Sequence, residues 1–99
     1  MTAKEFNTIQ TMFENEMKEN LIKSMRTFIS SGIRIANESI KVEKRTVKKV
    51  EIMETHAGRV SAVLDFMYAS DILDIKTYRS EYDRLIDWKL KKVSEIYRG

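Results

Sequence analysis

The amino-acid sequence predicts an all-α protein, an antiparallel bundle of three helices. The 99 residues contain no proline and only three glycines, whereas sheet proteins need turns about every ten residues and use both residue types there. Apolar residues recur at steps of three or four along most of the chain, which is the period of an α-helix. Charged residues of both signs make up 33% of the chain and are mixed as on solvated helix faces.

The first helix is predicted to start at Thr2, which matches a capping box with Glu5. Its apolar stripe consists of Phe6, Ile9, Phe13, Met17, Leu21, Met25 and Phe28. Ser30-Ser31-Gly32 follows, and both residue types disfavour a helix interior. A break there would give four helices and a compact monomer. An unbroken helix to Ile40 would be about 60 Å long, twice the width of a compact globule, and would need a partner chain.

Residues 33–46 are ambiguous. Many of them are β-branched, which favours strand, yet several also share one helical face. Helix, loop and a short hairpin therefore all remain open for this segment. We favour a helix that begins in the mid-40s, with a looser connection before it.

Two further helices complete the prediction. The second carries an apolar line of Val47, Val50, Met53, Ala57, Val60, Leu64 and Met67, and Gly58 inside it could let another helix approach closely. The third is capped by Asp74 or Thr77 and carries Ile75, Tyr78, Tyr82, Leu85 or Ile86, Leu90, Val93 and Ile96 or Tyr97. We therefore predict that residues 1–99 form a single helical domain, and that self-association completes its helical bundle.

Catalytic groups are scarce. The chain has no cysteine, one histidine (His56) and no Gly-x-Ser-x-Gly or glycine-rich phosphate loop. Glu51 and Glu54 share a helical face, but His56 points elsewhere and is expected to be solvated. The sequence therefore predicts no enzyme, no metal, no cofactor and no small-molecule substrate.

Positive charge is concentrated in the middle of the chain. Residues 1–20 carry two lysines against four glutamates, and residues 21–50 carry eight basic residues against two glutamates. The central cluster, which we call the basic block, consists of Lys41, Lys44, Arg45, Lys48 and Lys49. If this segment is helical, the block forms one positive stripe with Lys49 at its edge. Such a stripe can bind nucleic-acid phosphates or an acidic protein, or it can be an ordinary solvated face.

Trp88 is the second candidate site. On a helix it lies away from the apolar stripe and shares a face with Arg84 and Lys91. Tryptophan and arginine are enriched at interface hot spots, so these three residues are candidate partner-binding residues. The alternative is that Trp88 packs on another helix of its own domain. The six methionines also have two interpretations: they pack in the core, or they form an adaptable recognition surface.

These observations predict a non-catalytic protein–protein binding or assembly module, with a homodimer as the favoured state. The alternative is a nucleic-acid-binding regulator that uses the basic block. No apolar run approaches the roughly 20 residues of a membrane span and the N-terminus lacks a signal-peptide core, so we expect a cytoplasmic protein. The composition, rich in Lys, Glu and Ile, resembles that of small accessory proteins of bacteria and their phages. That resemblance would imply inhibition of a larger host enzyme or regulation of an element's genes.

Overall fold

A computed structural model describes residues 1–98. Within them the chain forms three α-helices and no strand: α1 (Ala3–Val42), α2 (Thr46–Ala69) and α3 (Ile75–Arg98). The predicted all-α bundle is therefore confirmed. The backbone of α2 lies close to both other helices, whereas α1 and α3 meet through side chains such as Asn37 and Trp88.

The first helix runs without a break. Thr2 caps it as predicted, since its side-chain oxygen accepts the N–H of Glu5 at 3.2 Å. The helix then continues through residues 30–32, so the break considered there is wrong. The looser connection before the mid-40s is also wrong, because only residues 43–45 separate α1 from α2. The carboxylate of Glu43 accepts the N–H groups of Lys44 and Arg45 and so fixes this short turn.

Gly32 has a packing role. A Cβ atom built on it would lie 2.5 Å from Cε1 of His56, so only glycine leaves room for the imidazole ring at this point of α1. Gly58, which was expected to allow a close approach, is exposed and has open space around it. The two glycines therefore have the opposite roles from those predicted.

The α2–α3 turn is a Schellman motif built on a non-glycine residue. Asp71 has a φ of 59°, and its N–H donates to the carbonyl of Tyr68. The N–H of Ile72 donates to the carbonyl of Met67 at 2.9 Å, and both of these side chains lie in the same apolar cluster. Asp74 then caps α3, as predicted, because its carboxylate accepts the N–H of Thr77 at 2.7 Å.

The core occupies only part of α1. One cluster contains Met25, Ala57, Val60, Leu64, Met67, Leu73 and Leu85, and a second contains Ile40, Met53 and Ile96. On α1 the packed residues begin with Ile22. Residues 3–20, which we call the arm, therefore extend about 27 Å beyond the bundle. The molecule accordingly measures 65 × 21 × 14 Å.

Candidate interaction surfaces

The line of α1 residues that packs into the core can be followed back into the arm, but there its residues become polar. Steps of three and four back from Met25 lead to Ile22, Lys18, Asn15, Thr11, Thr8 and Lys4. Before Ile22 this line is entirely polar. The side of the arm that continues the core face of α1 therefore has no apolar side chain to bury, which agrees with the arm lying outside the bundle.

A second line on α1 carries large, exposed apolar side chains from one end of the helix to the other. We call it the outer stripe; its members are Phe6, Ile9, Phe13, Met17, Leu21, Phe28, Ile35 and Val42. In the arm, Phe6 is 58% exposed and Phe13 is 65% exposed. Exposed apolar residues that occur singly are ordinary, whereas a contiguous line marks an interaction surface.

The body half of the outer stripe has a regular pattern. Leu21, Phe28, Ile35 and Val42 follow one another at steps of seven. Ser24 and Ser31, both small and exposed, lie between them. A seven-residue apolar repeat is the pattern by which one helix packs along another, and small residues between large ones let the helices come close.

The outer stripe borders a groove between α1 and α2. The groove encloses about 590 Å³. Its α1 wall spans residues 28–39 and includes Phe28, Ser31 and Ile35, and its α2 wall includes Ile52 and Arg59. The groove is therefore mostly apolar and open to solvent. Its lining includes one positive residue, Arg59, and one negative residue, Glu51, which is paired with Lys48 at 3.1 Å.

His56 lies in the floor of this groove and is not solvated, contrary to the prediction. The side chain is 7% exposed, fits against Gly32 and makes an edge-to-face contact with Trp88 at 5.0 Å between ring centroids. Its Nε2 is buried with no hydrogen-bond partner among the residues that the structure describes. Burial, and secondarily the charge of Arg59, lowers the pKa of His56 below its usual 6.5. Both effects favour the neutral form of the ring.

The buried face of α3 agrees with the predicted one in part: Leu85 is buried and Tyr78 and Tyr82 pack against the core, whereas Leu90 and Val93 are exposed. Glu81, Leu85 and Ile96 are buried, and Trp88 is partly buried on the same side, where its Nε1–H donates to Oδ1 of Asn37 at 3.1 Å. The exposed line instead consists of Ile86, Leu90, Val93 and Tyr97, which we call the α3 stripe. Of the two alternatives for Trp88, the structure shows packing inside the domain.

The other two residues of that candidate site remain on the surface. Arg84 is exposed, and its guanidinium lies 3.8 Å from the buried carboxylate of Glu81, which Arg26 approaches from the other side at 3.6 Å. Lys91 is also exposed. Trp88 therefore does not share an open surface with them, and binding of a partner by this trio stays a prediction.

The basic block surrounds the α1–α2 turn. Lys41 ends α1, Lys44 and Arg45 lie in the turn, and Lys48 and Lys49 begin α2. The turn interrupts the helix, so the block is a cluster at one end of the bundle and not the continuous stripe that an unbroken helix would present. Arg45 is bound by Glu43 at 3.1 Å and Lys48 by Glu51 at 3.1 Å, which neutralises part of its charge.

A group of tyrosines joins α2 to α3. The hydroxyls of Tyr78 and Tyr82 donate to Oδ1 of Asp65 at 2.6 and 2.7 Å. Tyr68 stacks on Tyr78 with 4.4 Å between ring centroids. The bond to Asp65 raises the pKa of Tyr78, so this phenol stays protonated, and the bonds from both tyrosines lower the pKa of Asp65, so its carboxylate stays ionised. Such a cluster is suited to fastening two helices.

Residues 1–98 also bear on two other kinds of site, a metal centre and a membrane span. No three or more side chains of His, Cys, Asp or Glu come together there as metal ligands. Glu54, one of the candidates, is bound by Lys89 of α3 at 3.2 Å. In the same part of the chain, no helix combines the length and the apolar character that crossing a membrane requires.

Comparison with known proteins adds no family. The chain matches no protein-family model, no curated protein and no solved structure. The outer stripe and the groove, both read from this chain alone, are therefore the features from which a function can be argued. Sequence reasoning grouped Met25 with the outer stripe. The polar line from Lys4 to Lys18 was the sequence signal that could have distinguished the face of Met25 from the outer stripe.

Proposed function

We propose that this protein is a non-catalytic protein–protein binding or assembly module, and that the arm is its binding element. The observation that carries the proposal is the arm itself, with four large apolar side chains on one face and a polar line on the other. Helices shorter than about 12–15 residues are marginal alone in water, and most helices in proteins are stabilised by packing of an apolar face. A long helix with an unpacked apolar face is suited to packing against another protein.

The position of the arm also supports the proposal. It is continuous with a packed part of α1, so the bundle holds it in one direction without touching its apolar face. Binding then costs little ordering of the backbone, which favours affinity. An amphipathic helix laid in an apolar groove is a recurrent mode of protein recognition.

A photo-cross-linking experiment tests this function in the cells that make the protein. A photoreactive phenylalanine analogue replaces Phe13 in the arm, and the control carries it at Thr11, on the polar line two residues away. We expect a defined covalent adduct from position 13 and a much weaker one from position 11. Equal labelling at the two positions, or none at either, would contradict a binding role for the arm.

The second candidate function is nucleic-acid binding by the basic block. It is favoured by the convergence of five basic residues at one turn, where Lys41 and Lys44 are exposed. Binding of this kind weakens steeply with salt because counterions are released. We expect retention on duplex or single-stranded DNA at low salt that K44A and R45A together abolish. No retention at low salt would exclude this function.

A further inference from the structure

We infer that the occupant of the α1–α2 groove is the arm of a second copy of this chain, so that two α1 helices pair antiparallel and each arm becomes the fourth helix of its partner's bundle. This inference rests on the proposed function, because it names the partner that the arm binds. Four observations carry it: matching lengths, complementary shape, complementary charge and closure by symmetry.

The lengths match. The apolar side chains of the arm run from Phe6 to Met17, and the α1 wall of the groove runs from Phe28 to Ser39. Both segments span 11 residue steps, about 17 Å of helix. Antiparallel pairing that sets Phe6 against Ser39 also sets Met17 against Phe28, so the stripe and the wall cover each other end to end.

The shapes are complementary in the same register. Phe13 of one copy then lies opposite Gly32 of the other, where the His56 ring packed against the glycine, and no side chain of α1, forms the surface of the groove. Leu21 lies opposite Ser24, a large residue against a small one. Small residues at these positions let the two backbones approach, whereas the facing pair of Met17 and Phe28 is large against large and relies on the flexible methionine to adapt.

The charges are complementary as well. Both lysines of the arm, Lys4 and Lys18, lie on its polar line, away from the outer stripe, whereas Glu5 and Glu14 flank the stripe. In the antiparallel register Glu5 comes beside Lys41 of the other copy. Glu14, on the opposite flank, comes beside Arg59, which forms no salt bridge among the described residues and lines the groove.

Symmetry closes the arrangement. Arm and groove wall belong to the same face of the same helix, so a two-fold axis near residues 22–23 satisfies both arms and both grooves at once. An interface of this kind is self-complementary and stops at two copies. The α3 stripe, which is comparable in length and also exposed, lies on another helix. If the arm of one copy bound the α3 stripe of another, the two α1 helices would not pair with each other about this axis.

Sedimentation of paired variants tests the interface. We expect the native chain and T11E to be dimers, and F13E (arm) and I35E (groove) each to be monomers, because either charge would be buried in the contact. L90E, on the α3 stripe, is expected to leave the dimer intact. All five proteins should keep the same helical circular dichroism, since the substituted positions are exposed in the single chain.

Three outcomes of that experiment would overturn the inference. A native chain that stays monomeric at the highest attainable concentration would do so. Dimers that survive both F13E and I35E would place the contact elsewhere. Loss of the dimer in L90E alone would assign the α3 stripe as the interface.

Spin-label distances test the direction of pairing. The native chain has no cysteine, so a cysteine introduced at Thr8 or at Lys23 takes one nitroxide per copy. Antiparallel helices centred near residues 22–23 place the two labels at position 8 about 45 Å apart and those at position 23 within about 20 Å. A parallel pair would give short distances at both positions and would refute the antiparallel arrangement.

The cross-linking experiment separates the failure of this inference from the failure of the proposed function. An adduct at position 13 that contains a second copy of the chain supports both. An adduct that contains only a different protein retains the binding function and overturns the second copy as the occupant. Absence of any adduct specific to position 13 overturns both.

Discussion

Gly32 and Gly58 both lie inside helices, but only Gly32 touches a neighbour. The His56 ring fills the space where a side chain on Gly32 would start. Overpacking of this kind displaces a buried group, whereas an exposed glycine in a helix only adds conformational entropy to the unfolded chain. The same substitution at the two positions should therefore change stability in opposite directions.

We expect G32A to lower the free energy of unfolding by about 1–3 kcal/mol. G58A should raise it by roughly 0.5–1 kcal/mol, because alanine is the better helix former and meets nothing within 4 Å. Urea denaturation at equal protein concentration measures both. A stabilising G32A would contradict the packing of His56 against this residue, and G58A serves as its matched control.

His56 should make stability depend on pH in a narrow window. Its pKa in the folded chain lies below 6.5, mainly through burial, so the unfolded chain takes up the proton more readily. The stabilisation is therefore complete above the unfolded pKa and is lost as pH falls from about 6.5 toward the folded pKa. Glu43, Asp65 and Asp74, whose pKa values are also lowered, act only at more acidic pH.

We expect the free energy of unfolding to fall between pH 7.5 and pH 5, and this slope to be much reduced in H56Q. The chain has a single histidine, so its imidazole resonance in an NMR titration gives the folded pKa directly. A midpoint at or above 6.5 would show that the ring is solvated, as the sequence had suggested.

At the scale of helices, the feature that was hardest to predict from the sequence was where each helix ends. Glycine commonly marks the end of a helix because it adopts positive φ freely, and on that basis a break was considered at Gly32. Here both helical glycines are internal, and the left-handed position is occupied by Asp71, which no spacing rule singles out. The cap residues Thr2 and Asp74 were predictable because their bonds are local.

Part of the apolar stripe of α3 was misassigned for a different reason. Its buried side includes Glu81, Trp88 and Lys92, and its exposed side includes Leu90, which is 64% exposed. Polarity alone therefore does not fully define the buried face. The choice depends on non-local contacts, such as those of Asp65 with two tyrosines and of Asn37 with Trp88, which a linear pattern does not reveal.

The α2–α3 turn permits a test at this scale. Asp71 has a positive φ, a conformation that costs non-glycine residues about 1–2 kcal/mol and glycine nothing. We expect D71G to be more stable than D71A by about 1 kcal/mol. Both changes remove the same carboxylate, so the difference in their unfolding free energies isolates the backbone. Equal stabilities would show that the Schellman geometry does not persist in solution.

At the scale of the whole molecule, a single chain is unusually extended. Its radius of gyration is 18.1 Å, whereas a compact chain of this length has about 13 Å. The excess comes from the arm, whose Met17 is still 50% exposed. A chain this small has a modest core and little stability of its own. Covering the arm and the groove together would add apolar burial that the monomer lacks.

If the arms bind reciprocally, folding and association are coupled, and the melting temperature must depend on concentration. A ligand that binds only the folded state stabilises it by mass action, and here each chain is the ligand of the other. A tenfold rise in concentration is equivalent to about 1.4 kcal/mol per dimer. For a cooperative unit of about 200 residues this corresponds to an upward shift of about 4 °C.

Calorimetry over a hundredfold range of concentration measures this dependence. We expect the shift in the native chain and in T11E, and a melting temperature independent of concentration in F13E, which should also melt lower because Phe28 and Ile35 of the groove stay in water. A native chain that melts at the same temperature throughout would mean that the monomer is the cooperative unit. The bundle of residues 22–98 would then be stable without the arm, and the arm would be free for a different protein.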